Sequence, residues 1–355
     1  MWTIDAASLP DLERGASLLG SGGGGQTPMF RMLAELTLTK RGPVTVLEPD
    51  DAPTGAMVTH VGLVGSITAF AEKPMGGAEF SSAFRDLSTI RTDLDLVAGY
   101  EGAGANAFTG ILVAAELGIP LLDVDGMGRA LPRLDQTAYA AAGLSMSPFT
   151  LVDSTGNTTR IDTGSCAEAE RLLRAITAQM GGWAAFAGYR LPVREARRRG
   201  VRGSLRRALE LGAAFRPRAD LGLARVLAET GGRRLGSGRI VEVQWRRSAN
   251  VGRGSVTVRI PEDGRHLRVE MQSEFLLVID DGVPVASTPD VICLLDQRTM
   301  LPVQAEGVTA GSEVHVVALA APARWLEPDA LALVCPRAFG YSIDYVGDHA
   351  GDVEP

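Results

Sequence analysis

The run DLDLVAGYEGAGANAFTGILVAAELGIPLLDVDGMGRALPRLDQ, residues 93–136, decides the fold. Alternating apolar residues predict a strand at 94–97. Helix-length periodicity predicts a helix over 108–117, Gly-Ile-Pro breaks it, and a second strand follows at 120–124. In such a βαβ unit the strands are parallel. The loops after them therefore open on one sheet edge, where ligands of open α/β sheets bind. Those loops carry Glu101, Asn106, Asp123, Asp125 and Arg129. Three carboxylates, an amide and a guanidinium set among Gly and Ala are costly beside a sheet unless chemistry uses them.

Toward the amino terminus, a short helix is expected over 9–19 with Ser8 as its cap. It leads into GSGGGGQTP, in which glycines 22–25 precede Thr27 as N-cap and Pro28 at the first helical position. Free N–H groups beside a positive helix end could take an anion; a hinge is the alternative, and the Gly-Lys-Ser/Thr ending of a P-loop is missing. Strands follow at 44–47 and 57–64, the second apolar enough to be buried on both faces. It contains His60, and a lone histidine in such a strand is more often a satisfied core residue than a ligand. A Gly-Gly turn and a helix return the chain to residue 94.

Beyond residue 136 the pattern predicts a short helix to 142, a strand at 149–153, a hairpin or loop, and a helix over 166–180. Next come a small apolar stretch, GGWAAFAGYRLP, and an Arg-laden helical region at 193–215. A further helix is expected over 220–230. From Arg239 the period becomes two, with short strands between Gly, Pro and Asp turns. The expected architecture is α/β. Residues 1–165 form a layered α/β domain with a mostly parallel sheet, 166–237 a helical connecting region, and 238–355 a β-rich domain, barrel-like or sandwich, ending in an acidic tail from 347.

A chain of 355 residues with 45% hydrophobic content suits two ordinary domains. The formal charge of −7 argues against nucleic acid as a partner, and the arginines of 193–215 read as a solvated helix face. Three widely spaced cysteines fit neither a disulfide framework nor a zinc site. Together with an acid-bearing amino terminus and no bilayer-length apolar run, they predict a cytoplasmic protein that binds a small molecule and no membrane. A homo-oligomer is open.

The turn Gly102-Ala-Gly104-Ala-Asn-Ala107 has the GxGxxA form of a dinucleotide site, with Asp123 at the next strand end. It sits a hundred residues into the chain, whereas such fingerprints usually open their fold. The other reading gathers Glu101, Asp123 and Asp125 as a hydrolytic carboxylate centre. Carboxylates so placed raise one another's pKa until one serves as base, or they bind a divalent metal that activates water. Arg129 and Asn106 would then orient the substrate. On that reading Asp125→Ala abolishes turnover while folding is retained.

The wording of several stretches goes further. LGSGGGG (19–25), YEGAGAN (100–106), AAELGIPLLDVDGMGRALPRLDQ (114–136), VRGSLRRALELG (201–212), MQSE (271–274), PDVI (289–292) and PRAFGYS (336–342) resemble the DUF917 family, also called the S-methyl thiohydantoin desulfurase family. The likeness covers nearly the whole chain, with DVDGMGRALP its most specific part. It implies an α/β domain joined to a β-rich domain, and hydrolysis at a hydantoin-like ring with release of methanethiol. In the family the turn reads E-I-G-G-x-N, so Glu101, Gly104 and Asn106 match whereas Gly102 and Ala103 depart. Glu101, Asp123, Asp125 and Arg129 are accordingly the expected catalytic group. Ser21, Gly23, Gly24, Gly104, Asn106, Glu274 and Asp290 are expected to bind substrate in a cleft between the domains. A nucleotide-dependent enzyme and a non-catalytic accessory subunit of a hydantoinase-type system are the alternatives.

Overall fold

A computed structural model describes residues 1–73, 75–88, 94–216, 222–246 and 252–347. The βαβ unit is present. Its first strand is Asp95–Gly99 and its helix Thr109–Leu117, which ends where Gly118 turns left-handed at φ 66°. The second strand is divided. Leu121–Leu122 stays in the main sheet, while Val124–Asp125 leaves it to pair with Val201–Arg202, so the chain changes sheets at Asp123.

The main sheet has eight strands in the spatial order Trp2–Ile4, Val44–Leu47, Leu121–Leu122, Asp95–Gly99, Met57–Gly65, Trp183–Pro192, Phe149–Val152 and Thr158–Ile161. Parallel pairing is confined to the four strands from Val44–Leu47 to Met57–Gly65; antiparallel neighbours extend the sheet on both sides. The sheet is thus mixed: Trp183–Pro192 runs antiparallel to both Met57–Gly65 and Phe149–Val152. One face packs under Leu9–Leu19, Thr27–Arg41, Ala78–Leu87, Thr109–Leu117 and Ser204–Ala214. The other buries Val58, Leu96 and Phe186 with Leu173, and also with Trp325, Ala330 and Val334 from the end of the chain.

Residues 166–237, expected as a helical connector, do supply helices, but they also supply Trp183–Pro192, a strand inside the first sheet. Its first seven residues are all buried, so both faces read as apolar and no alternation marks the strand in the sequence. The helix expected over 220–230 is Leu223–Thr230, residue 220 lying outside the described residues. Of the acidic tail, 348–355 lie outside them as well.

The β-rich part begins at Gly232, earlier than the composition change suggested. Its seven strands are antiparallel in the order Val283–Ser287, Phe275–Asp280, His266–Met271, Arg253–Arg259, Gly232–Arg246, Glu313–Leu319 and Val291–Asp296, curled as a half-barrel. The long strand Gly232–Arg246 shifts register between Arg234 and Gly236 and between Ile240 and Glu242. Such bulges bend a strand and allow one sheet to wrap its own core, here Val256, Val258, Leu267, Val269 and Val316. Among the described residues, no helix is long and apolar enough to cross a membrane.

Candidate active site

Glu101 follows the strand Asp95–Gly99 at the carboxyl edge of the sheet and is buried. Its Oε1 accepts from Asn106 Nδ2 at 2.7 Å, while Oε2 is buried with no hydrogen-bond partner among the described residues. Asn106 is fully occupied, since Nδ2 also donates to Tyr100 Oη at 2.7 Å and Oδ1 accepts from the Leu63 N–H at 2.6 Å. Asn106, expected as a substrate ligand, lines the cavity and holds the acid through Nδ2. Burial pushes the Glu101 carboxyl well above the usual range against the Asn106 hydrogen bond, and Glu274 and Asp125 raise it further.

The two aspartates are consumed by the backbone. Asp123 accepts from the N–H groups of Leu205 at 2.8 Å and Arg206 at 3.2 Å, so it caps the helix Ser204–Ala214 from another element. Burial lifts it to about 6 while those donors hold it down. Asp125 Oδ1 accepts from the N–H groups of Met127 at 2.8 Å and Gly128 at 2.7 Å, and its Oδ2 from the Gly102 N–H. Burial raises it to about 7 against three backbone donors and Ser204. Asp125 therefore ties the turn at Gly102 to the loop of Met127 and Gly128, and in Asp125→Ala three buried N–H groups would lose their acceptor.

The glycine loop is a junction between the domains. Ser21, expected to touch substrate, is fully buried; its Oγ donates to the carbonyls of Phe275 at 3.2 Å and Ile292 at 2.9 Å, and its own carbonyl accepts from the Phe275 N–H at 2.7 Å. Gly24 crosses Gly104 so closely that a Cβ on Gly104, at φ 54°, would lie 2.0 Å from the Gly24 oxygen. That oxygen accepts from the Ala105 N–H at 2.8 Å. The N–H groups of Gly102 and Ala105, which a dinucleotide turn would offer to a pyrophosphate, are thus occupied by the protein.

Opposite Glu101 stands Glu274 from the second domain. A Cβ on Gly23 would come within 2.6 Å of its Oε1, so the bare glycine is what admits this side chain. Glu274 Oε2 is buried without a hydrogen-bond partner among the described residues, and burial lifts the carboxyl to about 7 against the pull of Arg129. Glu101 and Glu274 line one cavity of about 160 Å³, with Gly24, Asn106, Leu131 and Arg174 also in its wall. Arg129 is wholly buried behind them. It donates to the carbonyls of Ala130, Pro289 and Asp290 at 2.7–3.0 Å, and its Nη2 has no hydrogen-bond partner among the described residues. Asp290 faces elsewhere: its Oδ1 accepts from the Ala321 N–H at 3.0 Å and Tyr345 Oη at 2.8 Å, and only its backbone reaches Arg129.

The structure therefore joins Glu101, Glu274, Asn106, Gly23, Gly24, Gly104 and Arg129, and leaves Asp123, Asp125, Ser21 and Asp290 as fasteners of the frame. Tyr100 and the backbone of Leu63 belong to the group and were missed; an aromatic residue beside the key acid was the only signal. His60 is a core residue, between the Tyr189 carbonyl at 2.9 Å and Tyr139 Oη at 3.0 Å, with burial holding it down at about 4. Among the described residues, no three His, Cys, Asp or Glu side chains gather as a metal-ligand set. Asp123 accepts two backbone N–H groups and Asp125 three.

Comparisons agree with this architecture. The family models described as "S-Me-THD-like, N-terminal domain" and "S-Me-THD-like, C-terminal domain" match residues 7–163 and 164–347. An X-ray crystal structure of a protein from Chromobacterium violaceum aligns with a TM-score of 0.79 over 98% of this chain and 99% of that one, at 24% identity, a likeness of fold. Among curated proteins nothing matches.

Proposed function

The chain belongs to the S-Me-THD-like family over both domains, and from that premise we propose that it hydrolyses a small hydantoin-like ring, releasing methanethiol from an S-methyl thiohydantoin. One observation carries the proposal. Glu101 and Glu274, from different domains, line a single cavity, and each keeps one buried oxygen without a partner among the described residues. A cavity of about 150 Å³ holds one benzene-sized ring, so about 160 Å³ suits a five-membered ring. Of the two carboxyls, Glu101 carries the added repulsion of Glu274 and Asp125, whereas Arg129 pulls Glu274 back to about 7. At neutral pH Glu101 is the acid and Glu274 the base.

Water attacks the ring carbon bearing sulfur as Glu274 takes one of its protons. The C=N electron pair moves to the ring nitrogen, which receives the proton of Glu101. In the collapse of the adduct, Glu101 takes the hydroxyl proton as the carbonyl forms. The C–S bond breaks, and the sulfur leaves with the proton held by Glu274. Water's oxygen ends as ring carbonyl, one hydrogen on nitrogen and one on sulfur, and both carboxyls are restored.

The test is the purified protein, alone, with an S-methyl thiohydantoin and a thiol-trapping reagent. Methanethiol is expected from the wild type. Glu101→Gln and Glu274→Gln should each lower kcat by about 10²- to 10⁴-fold with unchanged circular dichroism. No thiol from the wild type, or full activity in either variant, sinks the proposal; activity of the single chain also separates an enzyme from an accessory subunit.

A further inference from the structure

Hydrolysis engages Glu101 and Glu274 and gives no part to the other polar side chains of the cavity wall, Asn106, Tyr100, Ser273, Arg133 and Arg174. Most of these are spent on the protein. Asn106 Nδ2 donates to Glu101 and Tyr100, the Tyr100 hydroxyl donates to the Leu63 carbonyl at 2.8 Å, and the Ser273 hydroxyl bonds to Glu274. Arg133 lays its Nε–Nη2 edge on Asp135. Arg174 is held on two sides: Nε donates to Glu170 at 2.7 Å and Nη2 to the Pro132 carbonyl. Glu170 also accepts from the Leu134 N–H at 3.0 Å, so the helix Cys166–Gln179 fixes both this guanidinium and the segment 131–134 that lines the cavity beside it. The third corner of the guanidinium, Nη1, has no hydrogen-bond partner among the described residues. Of the two arginines it is Arg174 whose charge reaches Glu274 and Tyr100, drawing both pKa values down against burial.

In a hydantoin-like ring two carbons bear an atom outside the ring. One is attacked between Glu101 and Glu274; the other is a carbonyl whose oxygen is kept throughout, and enclosing that oxygen without a donor costs binding. We infer that Arg174 binds this second oxygen: its Nη1 donates to the ring carbonyl that is not attacked, and so selects such rings over cyclic ureas that lack it. The bond needs a donor in a fixed direction rather than an excess of charge, and a planar guanidinium pinned at Nε and Nη2 supplies one with little freedom left to lose. The substrate class is then a five-membered ring with a second carbonyl, and the assignment rests on the small cavity being the ring site.

Calorimetric binding to the full chain tests it with hydantoin and 2-imidazolidinone, a cyclic urea of the same ring size without the second carbonyl. The wild type should bind hydantoin about fivefold or more tightly than 2-imidazolidinone, the effect of a charge-assisted hydrogen bond at a half-exposed guanidinium. In Arg174→Met, which keeps most of the stem and removes the donor, the preference should shrink to within about twofold, through weaker binding of hydantoin while 2-imidazolidinone is held as before. Arg174 is half-exposed on its helix, so the variant is expected to fold, and circular dichroism checks it. No preference in the wild type, a preference unchanged in Arg174→Met, an equal loss of both probes in that variant, or no measurable binding of either probe to the wild type overturns the assignment. Methanethiol release from an S-methyl thiohydantoin in the same preparations reports on the chemistry separately. A preference that depends on Arg174 without turnover removes the hydrolase and leaves the oxygen site standing; turnover without such a preference removes the oxygen site alone.

Discussion

Glu274 ties protein stability to pH at a single residue. Its folded pKa of about 7 lies above the roughly 4.3 of a free glutamate, so the folded state binds the proton more tightly than the unfolded chain. Stability is then complete below about pH 4 and falls as pH rises toward 7, by on the order of 3 kcal/mol, where it levels. Melting temperatures measured from pH 4.5 to 8 should decline less steeply in Glu274→Gln than in the wild type, the remaining slope coming from Glu101, Asp123 and Asp125; parallel curves would contradict the assignment. Activity should run the other way, kcat/KM rising through about pH 7 as Glu274 ionises. Glu101 was legible from its place after a parallel strand. Glu274 could be named only through a resembling motif, because nothing local announces that a side chain 173 positions later will face it across a bare Gly23.

Among the elements, the acids that looked catalytic hold loops and a helix. Asp125→Ala should cost about 3 kcal/mol or more, since buried N–H groups of Gly102, Met127 and Gly128 are left without an acceptor; urea unfolding measures it. Asp123→Ala removes only a helix cap, and its loss should be near 1 kcal/mol. A cost for Asp125→Ala no larger than that would mean the knot is not structural. The sequence placed both aspartates on the right edge. It could not show which way the surrounding N–H groups point, because that depends on the helix Ser204–Ala214 arriving from 80 residues away and on the strand changing sheets at Asp123.

At the scale of the molecule, the match boundary at residues 163 and 164 does not divide two independent bodies. The strand Trp183–Pro192 pairs with Met57–Gly65 on one side and Phe149–Val152 on the other, so residues 1–163 lack a strand from the interior of their own sheet. Expressed alone, 1–163 should show no cooperative unfolding transition by circular dichroism, and co-expression with 164–355 should restore one. A folded, cooperative 1–163 fragment would refute this. Two domains were legible from the switch in periodicity; their interpenetration was not, because Trp183–Pro192 is small, apolar and buried on both faces.

That interleaving sets a timetable for synthesis. A ribosome adds roughly 5–20 residues per second, and Gly65 pairs with Trp183, so the edge of the central strand waits roughly 6 to 24 s for its neighbour to emerge. The bond from Ser21 to Ile292 spans 271 residues and closes roughly 14 to 54 s after Ser21 is made. The amino-terminal half therefore leaves the exit tunnel with an apolar strand edge uncovered, a surface of the kind that pairs with other nascent chains.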